Sequence, residues 1–422
     1  MPRRWLKASV ASAAAQLTRM TCGLLVLKIV IIQLGVDGVG RLGHFMNLLS
    51  ILYVFAGGGI TIGISKYVAE HEKAKDELAS FLSSAWSYSL LASGLIAIAF
   101  TVGAGPLSRA LFGDGSFRGM IMFVGAAQFA FAYINYATGV INGLRETQAF
   151  SRITVIGCIV GVIPCYFLVS RYRMEGAVVA LVLVQGCMLF PAAWEFHKLF
   201  NRLRPAFAMS SPHVRNLSKF GLMQFFSVAT MPVVEMYIRT ELSNSAGGWE
   251  LAGTWQGVQR LSYAALSLFT SFLAVYYMPT LSGMTDRKQI VRYVLKMLAA
   301  VIGVYAVAAC GIFLLRDIVF ALFLSRDFAI SPGLLALQLA GDLFRIASYV
   351  VGFLSAAKAA TKLYVLAELV QSALYVGLFT VISHQVGGDG VFPAYAASNL
   401  AYLTFCLIAL YLYAKASSKA ST

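Results

Sequence analysis

Apolar stretches of 20 or more residues recur along this chain from end to end, separated by short polar interruptions. A hydrocarbon core about 30 Å thick is crossed by about 20 residues at a rise of about 1.5 Å each, so every stretch is long enough to span it. The pattern predicts spans over 8–35, 42–65, 79–102, 119–143, 150–170, 175–195, 217–238, 250–277, 294–315, 331–357, 363–383 and 391–413. The fold class is therefore an all-α membrane protein of about twelve transmembrane helices. Loops between the spans are short, and the segments around 103–118 and 316–330 read as amphipathic turns at the outer surface. The first stretch is followed by neither a small-residue cleavage site nor a polar mature domain. It is expected to stay as a helix and not to be removed as a signal peptide.

Composition agrees with that pattern. With 59% hydrophobic and 12% charged residues, a chain of 422 residues has too little polar surface to cover a soluble globule. The formal charge of +15 would suggest a nucleic-acid partner if it were clustered on a soluble domain, but its placement says otherwise. Of 33 lysines and arginines, 21 fall in one set of alternate loops and 8 in the other, with four inside the spans. The rich set holds Arg3, Arg4 and Lys7, then Lys198, Arg202, Arg204, Arg215 and Lys219, then Arg287, Lys288, Arg292 and Lys296. By the positive-inside rule that side is cytoplasmic, and both termini lie there. The basic bias is a topology signal, and no nucleic acid is expected as a partner. Six cysteines all fall inside predicted spans without metal-ligand spacing, so neither disulfides nor a metal site is expected.

The longest polar interruption, about 197–216, carries Pro205, Ser210, Ser211 and Pro212 among four lysines and arginines. It reads as a cytoplasmic linker over 201–216 between six-helix lobes at 1–200 and 217–422. Sliding one half along the other supports an internal duplication. A shift of 211 brings Ala110-Leu111-Phe112 onto Ala321-Leu322-Phe323 and Phe117 onto Phe328. A shift of 213 brings Phe131, Tyr136, Gly139 and Arg145 onto Phe344, Tyr349, Gly352 and Lys358. With an even number of helices per half, the repeats share one orientation, and a substrate path is expected between them.

Candidate chemistry is sparse. Gly38-Val39-Gly40-Arg41-Leu42-Gly43 has the letters of a dinucleotide fingerprint, but it joins two membrane spans and lacks the strand and downstream acid that the fingerprint needs. It reads as a tight turn. No Walker-type sequence occurs, so ATP hydrolysis is excluded, and no cofactor is expected beyond a proton gradient, a sodium gradient or the membrane potential. The informative residues are the cations at membrane depth: Arg19, Lys28, Arg260 and Arg345. Each costs about 2.5 to 3.5 kcal/mol if it faces lipid, so each is expected to turn toward a wet interior. Arg19, Arg260 and Arg345 lie about halfway along their spans and would make a cationic chamber near the midplane. Asp342, one turn before Arg345, could instead neutralise it as an internal pair.

Acidic residues at depth are Asp342, Glu368 and Glu235, with Glu250 at the outer start of span eight; the first three are candidates for binding a coupling ion. Gly57, Gly58, Gly59 and Gly63 place four glycines on about two turns of span two, where a helix can bend, and Pro232 and Pro279 would interrupt spans seven and eight. Tyr133, Asn135, Tyr136 and Asn142, with Trp255, Gln256 and Gln259, supply aromatic and amide groups suited to sugars.

Several blocks resemble a known family, the Wzx flippases of lipid-linked oligosaccharides, within the superfamily that also holds multidrug extruders and the lipid II flippase. They are Gly59-x-x-x-Gly63-x-x-Lys66-Tyr67-Val68-Ala69, Gly253-x-Trp255-Gln256-Gly257 and Met278-Pro279-Thr280-Leu281-Ser282. The most specific runs from Gln338-Leu339-x-Gly341-Asp342 through Tyr349, Gly352, Lys358, Tyr364 and Ala367-Glu368 to Gln371. The resemblance covers nearly the whole chain and looks nearest to the enterobacterial common antigen type, with an O-antigen unit equally compatible. It implies alternating access in the bacterial inner membrane, an undecaprenyl-pyrophosphate-linked glycan as cargo, and a cationic cavity to which Lys66 and Gln256 add. A monomer working beside a polymerase and a chain-length regulator is also implied. The family carries a lysine where this chain has Arg345, so a cation fits there while its hydrogen bonds need not carry over. The alternatives are a multidrug or cation antiporter, which would show a net acidic chamber, and a non-transporting component of glycan assembly. An enzyme is disfavoured by the lack of a large outer loop bearing catalytic carboxylates.

Overall fold

The computed structural model describes residues 2–199, 207–326, 328–357 and 361–418, which form helices and no strand. The side chains of Arg3, Arg4, Lys7 and Tyr364 lie outside the described set, as do Arg202, Arg204, Pro205, Lys358 and the first part of the expected linker, 201–206. Contacts gather the chain into two compact units, Met1–Pro232 and Val233–Thr422.

The first unit contains α1 (Pro2–Phe55), α2 (Thr61–His71), α3 (Lys75–Val102), α4 (Ala104–Phe112), α5 (Arg118–Gly143), α6 (Thr147–Gly186), α7 (Leu189–Leu199) and the start of α8 (Ser211–Asn244). The second holds the rest of α8, then α9 (Gly248–Phe272), a π turn (Leu273–Tyr277), α10 (Met278–Gly283), α11 (Arg287–Leu314) and α12 (Arg316–Phe323). It ends with α13 (Pro332–Ala357), α14 (Thr361–Val386), a short 3-10 turn (Gly388–Gly390) and α15 (Val391–Ser418). Among the described residues, nine helical stretches are long and apolar enough to cross a membrane, and two of them, Val10–Phe55 and Thr147–Leu199, have 46 and 53 residues. Each of those two makes two crossings. With α9, whose polar residues lower its hydropathy, the described residues make the twelve crossings the sequence predicts. The segments expected as amphipathic turns are short helices, α4 and α12. After α4, the loop is tied by Ser116, whose N–H donates to Asp114 Oδ1 at 2.7 Å and whose hydroxyl also donates there. Those bonds hold the Asp114 carboxyl below its usual range.

Two long helices of the first unit fold back on themselves at single residues. The reversal in α1 falls at Gly35, at φ 76°, a conformation glycine adopts without a Cβ clash. The glycines of 38–43, read as the turn from sequence, are helical instead, because one left-handed residue suffices. In α6 the reversal falls on Arg173, at φ 51°, and its guanidinium donates to the Gln33 carbonyl. One turn is thereby tied to the other, and α1 lies chiefly against α6.

The glycine run of span two does more than let a helix bend. Gly57, Gly58 and Gly59 have φ of 73°, 84° and 69°, and three left-handed residues in a row cannot continue a right-handed helix. So α1 stops at Phe55 and α2 starts at Thr61, which corrects the expectation of a continuous helix. The freed groups are taken by side chains: Asn135 Nδ2 donates to the carbonyls of Tyr53 at 2.7 Å and Ala56 at 3.3 Å, and Gly57 N–H donates to Ser93 Oγ at 3.1 Å. Only Gly63 of the four is helical, and a Cβ there would lie 3.1 Å from the Phe220 ring. Pro232 lies inside α8, which continues through it. Span eight, by contrast, is broken just before Pro279, in the π turn at Leu273–Tyr277, where the proline's missing N–H and its ring disturb the preceding turn.

The core of the second unit is built where α9, the π turn, α11, α13 and α15 meet, around Leu273, Tyr277, Tyr305, Ile346, Val350 and Tyr402. Tyr277 donates from its hydroxyl to the Val350 carbonyl at 3.0 Å, which satisfies a phenol that is fully buried.

Candidate functional site

The site grows from one face of α13. Gln338, Asp342, Arg345 and Tyr349 are spaced by four, three and four residues, so they form one stripe along the helix. All but Tyr349 are buried, Asp342 completely. A stripe of this polarity in a membrane helix must find its partners on neighbouring helices, because lipid offers none.

Those partners are mostly phenols. Tyr395 from α15 donates to Asp342 Oδ1 at 2.8 Å, and Tyr305 from α11 donates to Asp342 Oδ2 at 3.2 Å. Ser262 is also within hydrogen-bonding reach of Asp342 and accepts from Gln338 Nε2 at 3.2 Å. Arg345 donates through Nε to Tyr349 Oη at 2.9 Å and through Nη1 to Tyr395 Oη at 3.4 Å. Its guanidinium carbon stands 4.9 Å from the ring centroid of Tyr263 and 5.7 Å from that of Tyr349. Among the described residues no carboxylate forms an ion pair with Arg345. The direct Asp342–Arg345 pair that their spacing allows is replaced by Tyr395, which gives its proton to one and its lone pair to the other.

A second carboxylate enters through Tyr263, whose hydroxyl donates to Glu235 on α8. Gln259 Nε2 donates to the same Glu235 oxygen at 3.2 Å and to Tyr263 Oη at 3.0 Å. One turn beyond Glu235, Arg239 is fully buried, with its guanidinium carbon 5.4 Å from the Trp255 ring. Arg239 Nη2 donates to Gln256 Oε1, while its Nε and Nη1, and Gln256 Nε2, have no hydrogen-bond partner among the described residues. Arg260, half-buried on α9, lies within electrostatic range of Arg239. The second unit thus brings together Arg239, Gln256, Arg260, Asp342, Arg345 and Glu235. Glu368 is half-buried on α14, within electrostatic range of Tyr402, and Gln371 one turn below it donates to Asn399 Oδ1 at 3.3 Å.

Arg19, Lys28 and Lys66 belong to the first unit. Arg19 is exposed on α1, within electrostatic range of Tyr53 and Cys158; Lys28 is half-buried on the same helix. Lys66 is exposed on α2, its Nζ 4.6 Å from the ring centroid of Tyr67 and 5.7 Å from that of Phe220. Of the aromatic and amide groups suited to sugars, Asn135 is committed to the end of α1, and buried Tyr136 donates to the Leu82 carbonyl at 3.2 Å. Among the described residues no cluster of His, Cys, Asp and Glu could hold a metal ion.

Sequence reasoning missed Arg239, which it counted among the outer-loop cations because span seven was ended at 238, whereas α8 runs to Asn244. The signal was present as Glu235 and Arg239 one turn apart. It also missed the phenol cage of Tyr263, Tyr305, Tyr349 and Tyr395, for which single tyrosines in apolar helices give no mark.

The fold is similar to that of solved transporters of the MOP superfamily. A structure titled as the inward-facing conformation of a multidrug resistance MATE family transporter matches with a TM-score of 0.74 at 16% identity, over 97% of this chain and 96% of that one. A MOP superfamily transporter from Pyrococcus furiosus, whose title describes a binding pocket of reverse polarity, matches at 0.68 and 15% identity, over 97% and 96%. The chain belongs to the polysaccharide biosynthesis protein family, whose model matches residues 6–285. The Lipid III flippases of Escherichia coli (strain K12) and Shigella flexneri are each 32% identical to it over 404 residues, 95% of this chain and 96% of theirs. Together with its apolar helices, that membership makes it a multi-pass inner-membrane protein and a transporter rather than an enzyme.

Proposed function

We propose that this protein is a flippase that moves an undecaprenyl-pyrophosphate-linked oligosaccharide from the cytoplasmic to the periplasmic leaflet, the repeat unit of enterobacterial common antigen or of an O-antigen. The observation that carries the reading is Arg345: a guanidinium almost fully buried, caged by phenols and, among the described residues, in no ion pair with a carboxylate. A charge held that way is not cancelled, so it can meet an anionic headgroup. Together with Arg239 and Arg260, it gives the polar interior of the second unit three guanidinium groups against the carboxylates of Asp342 and Glu235. The pyrophosphate is the complementary charge. Arg19, Lys28 and Lys66 are further candidates on the first unit.

In this mechanism the hydrophilic headgroup leaves the cytoplasmic side on these cations while the polyprenyl chain stays in lipid. With the inside negative, outward movement of an anion gains about 2.3 kcal/mol per charge per 100 mV. Asp342, Glu235 and Glu368 are the groups proposed to take up a proton or sodium ion for the return step. Asp342 is the foremost of them, because it is completely buried and the hydroxyl oxygens of Tyr305 and Tyr395 stand beside its carboxylate, where they would complete the shell of a bound sodium ion. The protein acts as a monomer, delivering its cargo to a polymerase and its chain-length regulator.

Reconstitution into vesicles with a fluorescent undecaprenyl-pyrophosphate oligosaccharide tests this. The expected result is translocation by the wild-type protein and its loss in Arg345→Ala. Vesicles that expel a cationic drug but leave the glycan lipid in place would establish the antiporter reading instead.

A further inference from the structure

We propose that a groove on the second unit, between the start of α11 and the end of α15, binds a phospholipid with two phosphodiester groups, a lipid of the cardiolipin type. Lys288, Arg292 and Lys296 follow one another at four-residue steps along α11, about 6 Å apart along the axis, with Arg287 beside the first. All four are exposed, and from Met297 to Leu315 no charged residue follows. The four cations therefore mark the level at which α11 leaves water for hydrocarbon.

The groove beside them has an apolar floor. Val291, Leu295 and Ala299 form a stripe adjacent to the cations, and Ala414 of α15 closes the far wall with a methyl group only. The cavity so formed is about 600 Å³. Arg287 stands 5.2 Å from the ring centroid of Tyr413, which anchors the end of α15 against α11. The carboxylate next to them in sequence, Asp286, caps α11, accepting from the Lys288 N–H at 3.0 Å.

Chemistry selects the occupant. A soluble anion would use the cations and waste the apolar stripe, and an acyl chain alone would do the reverse. A zwitterionic lipid would bring an ammonium against four cations. Basic clefts between helices at the cytoplasmic interface are suited to headgroups with more than one phosphate, and the two steps from Lys288 to Lys296 give each phosphate its own pair of cations. This site is separate from the phenol cage and does not depend on the cargo assigned above.

The test is native mass spectrometry of the full chain in detergent, titrated in turn with cardiolipin, phosphatidylglycerol, phosphatidylcholine, undecaprenyl pyrophosphate and inorganic pyrophosphate. The expected result is that cardiolipin binds most tightly, that Arg292→Gln/Lys296→Gln weakens it at least about tenfold, and that Lys73→Gln, an exposed cation elsewhere, leaves it unchanged. Equal affinity for phosphatidylcholine or phosphatidylglycerol, or full binding by the double variant, would overturn the proposal. Displacement by inorganic pyrophosphate at equal concentration would make the groove a site for a free anion. Tighter binding of undecaprenyl pyrophosphate than of cardiolipin would assign it to the cargo and also refute the proposal.

Discussion

Arg152 in the first unit and Arg345 in the second are both arginines of membrane helices, yet they are held in opposite ways. Arg152 on α6 meets Glu195 on α7 through two parallel bonds, Nε to Oε1 at 2.6 Å and Nη2 to Oε2 at 2.8 Å. That fork-on-fork geometry satisfies both groups and cancels both charges. Arg345 instead binds two phenol oxygens at 2.9 and 3.4 Å and rests against aromatic faces. Phenols and ring faces stabilise a guanidinium without neutralising it. The difference separates a cation that fastens helices together from one kept available.

Substitutions can break that contrast. The largest effect is expected for Arg345→Ala, which should lower glycan export at least about 100-fold, or about 2.7 kcal/mol of barrier, with normal protein in the membrane. Export at the wild-type rate would remove Arg345 from the mechanism. Arg152→Ala should act on stability instead. The Glu195 side chain, 7% exposed, would lose its counter-charge, while the Arg152 side chain is 46% exposed and part of its charge is already screened. About 2 kcal/mol is therefore expected, below the 3 to 5 kcal/mol of a fully buried pair. It would be read as a lower melting temperature in detergent, and Arg152→Ala/Glu195→Ala should recover most of it. Tyr395→Phe removes the hydroxyl shared by Asp342 and Arg345, and should cost about 1 to 1.5 kcal/mol, a roughly tenfold fall in transport. Vesicle assays showing no change would mean that the bridge is idle. The smallest effect belongs to Arg41→Ala. Its pair with Asp37, at 2.9 Å, is half exposed on both sides, and less than about 0.5 kcal/mol should be lost in thermal unfolding.

The crossings were legible because a bilayer demands long apolar runs. Less visible were the places where backbone geometry departs from the helix. Hydropathy runs unbroken through Gly57–Gly59, so those residues read as a flexible point on a helix, although three successive left-handed residues end one. The π turn at Leu273–Tyr277 is marked only by Pro279 just after it, and its form cannot be read from that. In the site, Arg345, Asp342, Glu235 and Gln256 could be named because charges and amides stand out in apolar sequence. Their pairing could not, since it depends on Tyr305, Tyr395 and Tyr263 arriving from three other helices. Arg239 was lost to a span ended at 238, six residues short of the end of α8 at Asn244, where the hydropathy falls gradually and gives no sharp edge.

Asn135 gives the interruption after Phe55 an unusual property for a membrane interior. An amide from α5 holds two loose carbonyls at the end of α1. Ser65 of α2 donates to the Gly139 carbonyl of the same α5 at 2.8 Å, so both sides of the break are fastened to one helix, which serves as its splint.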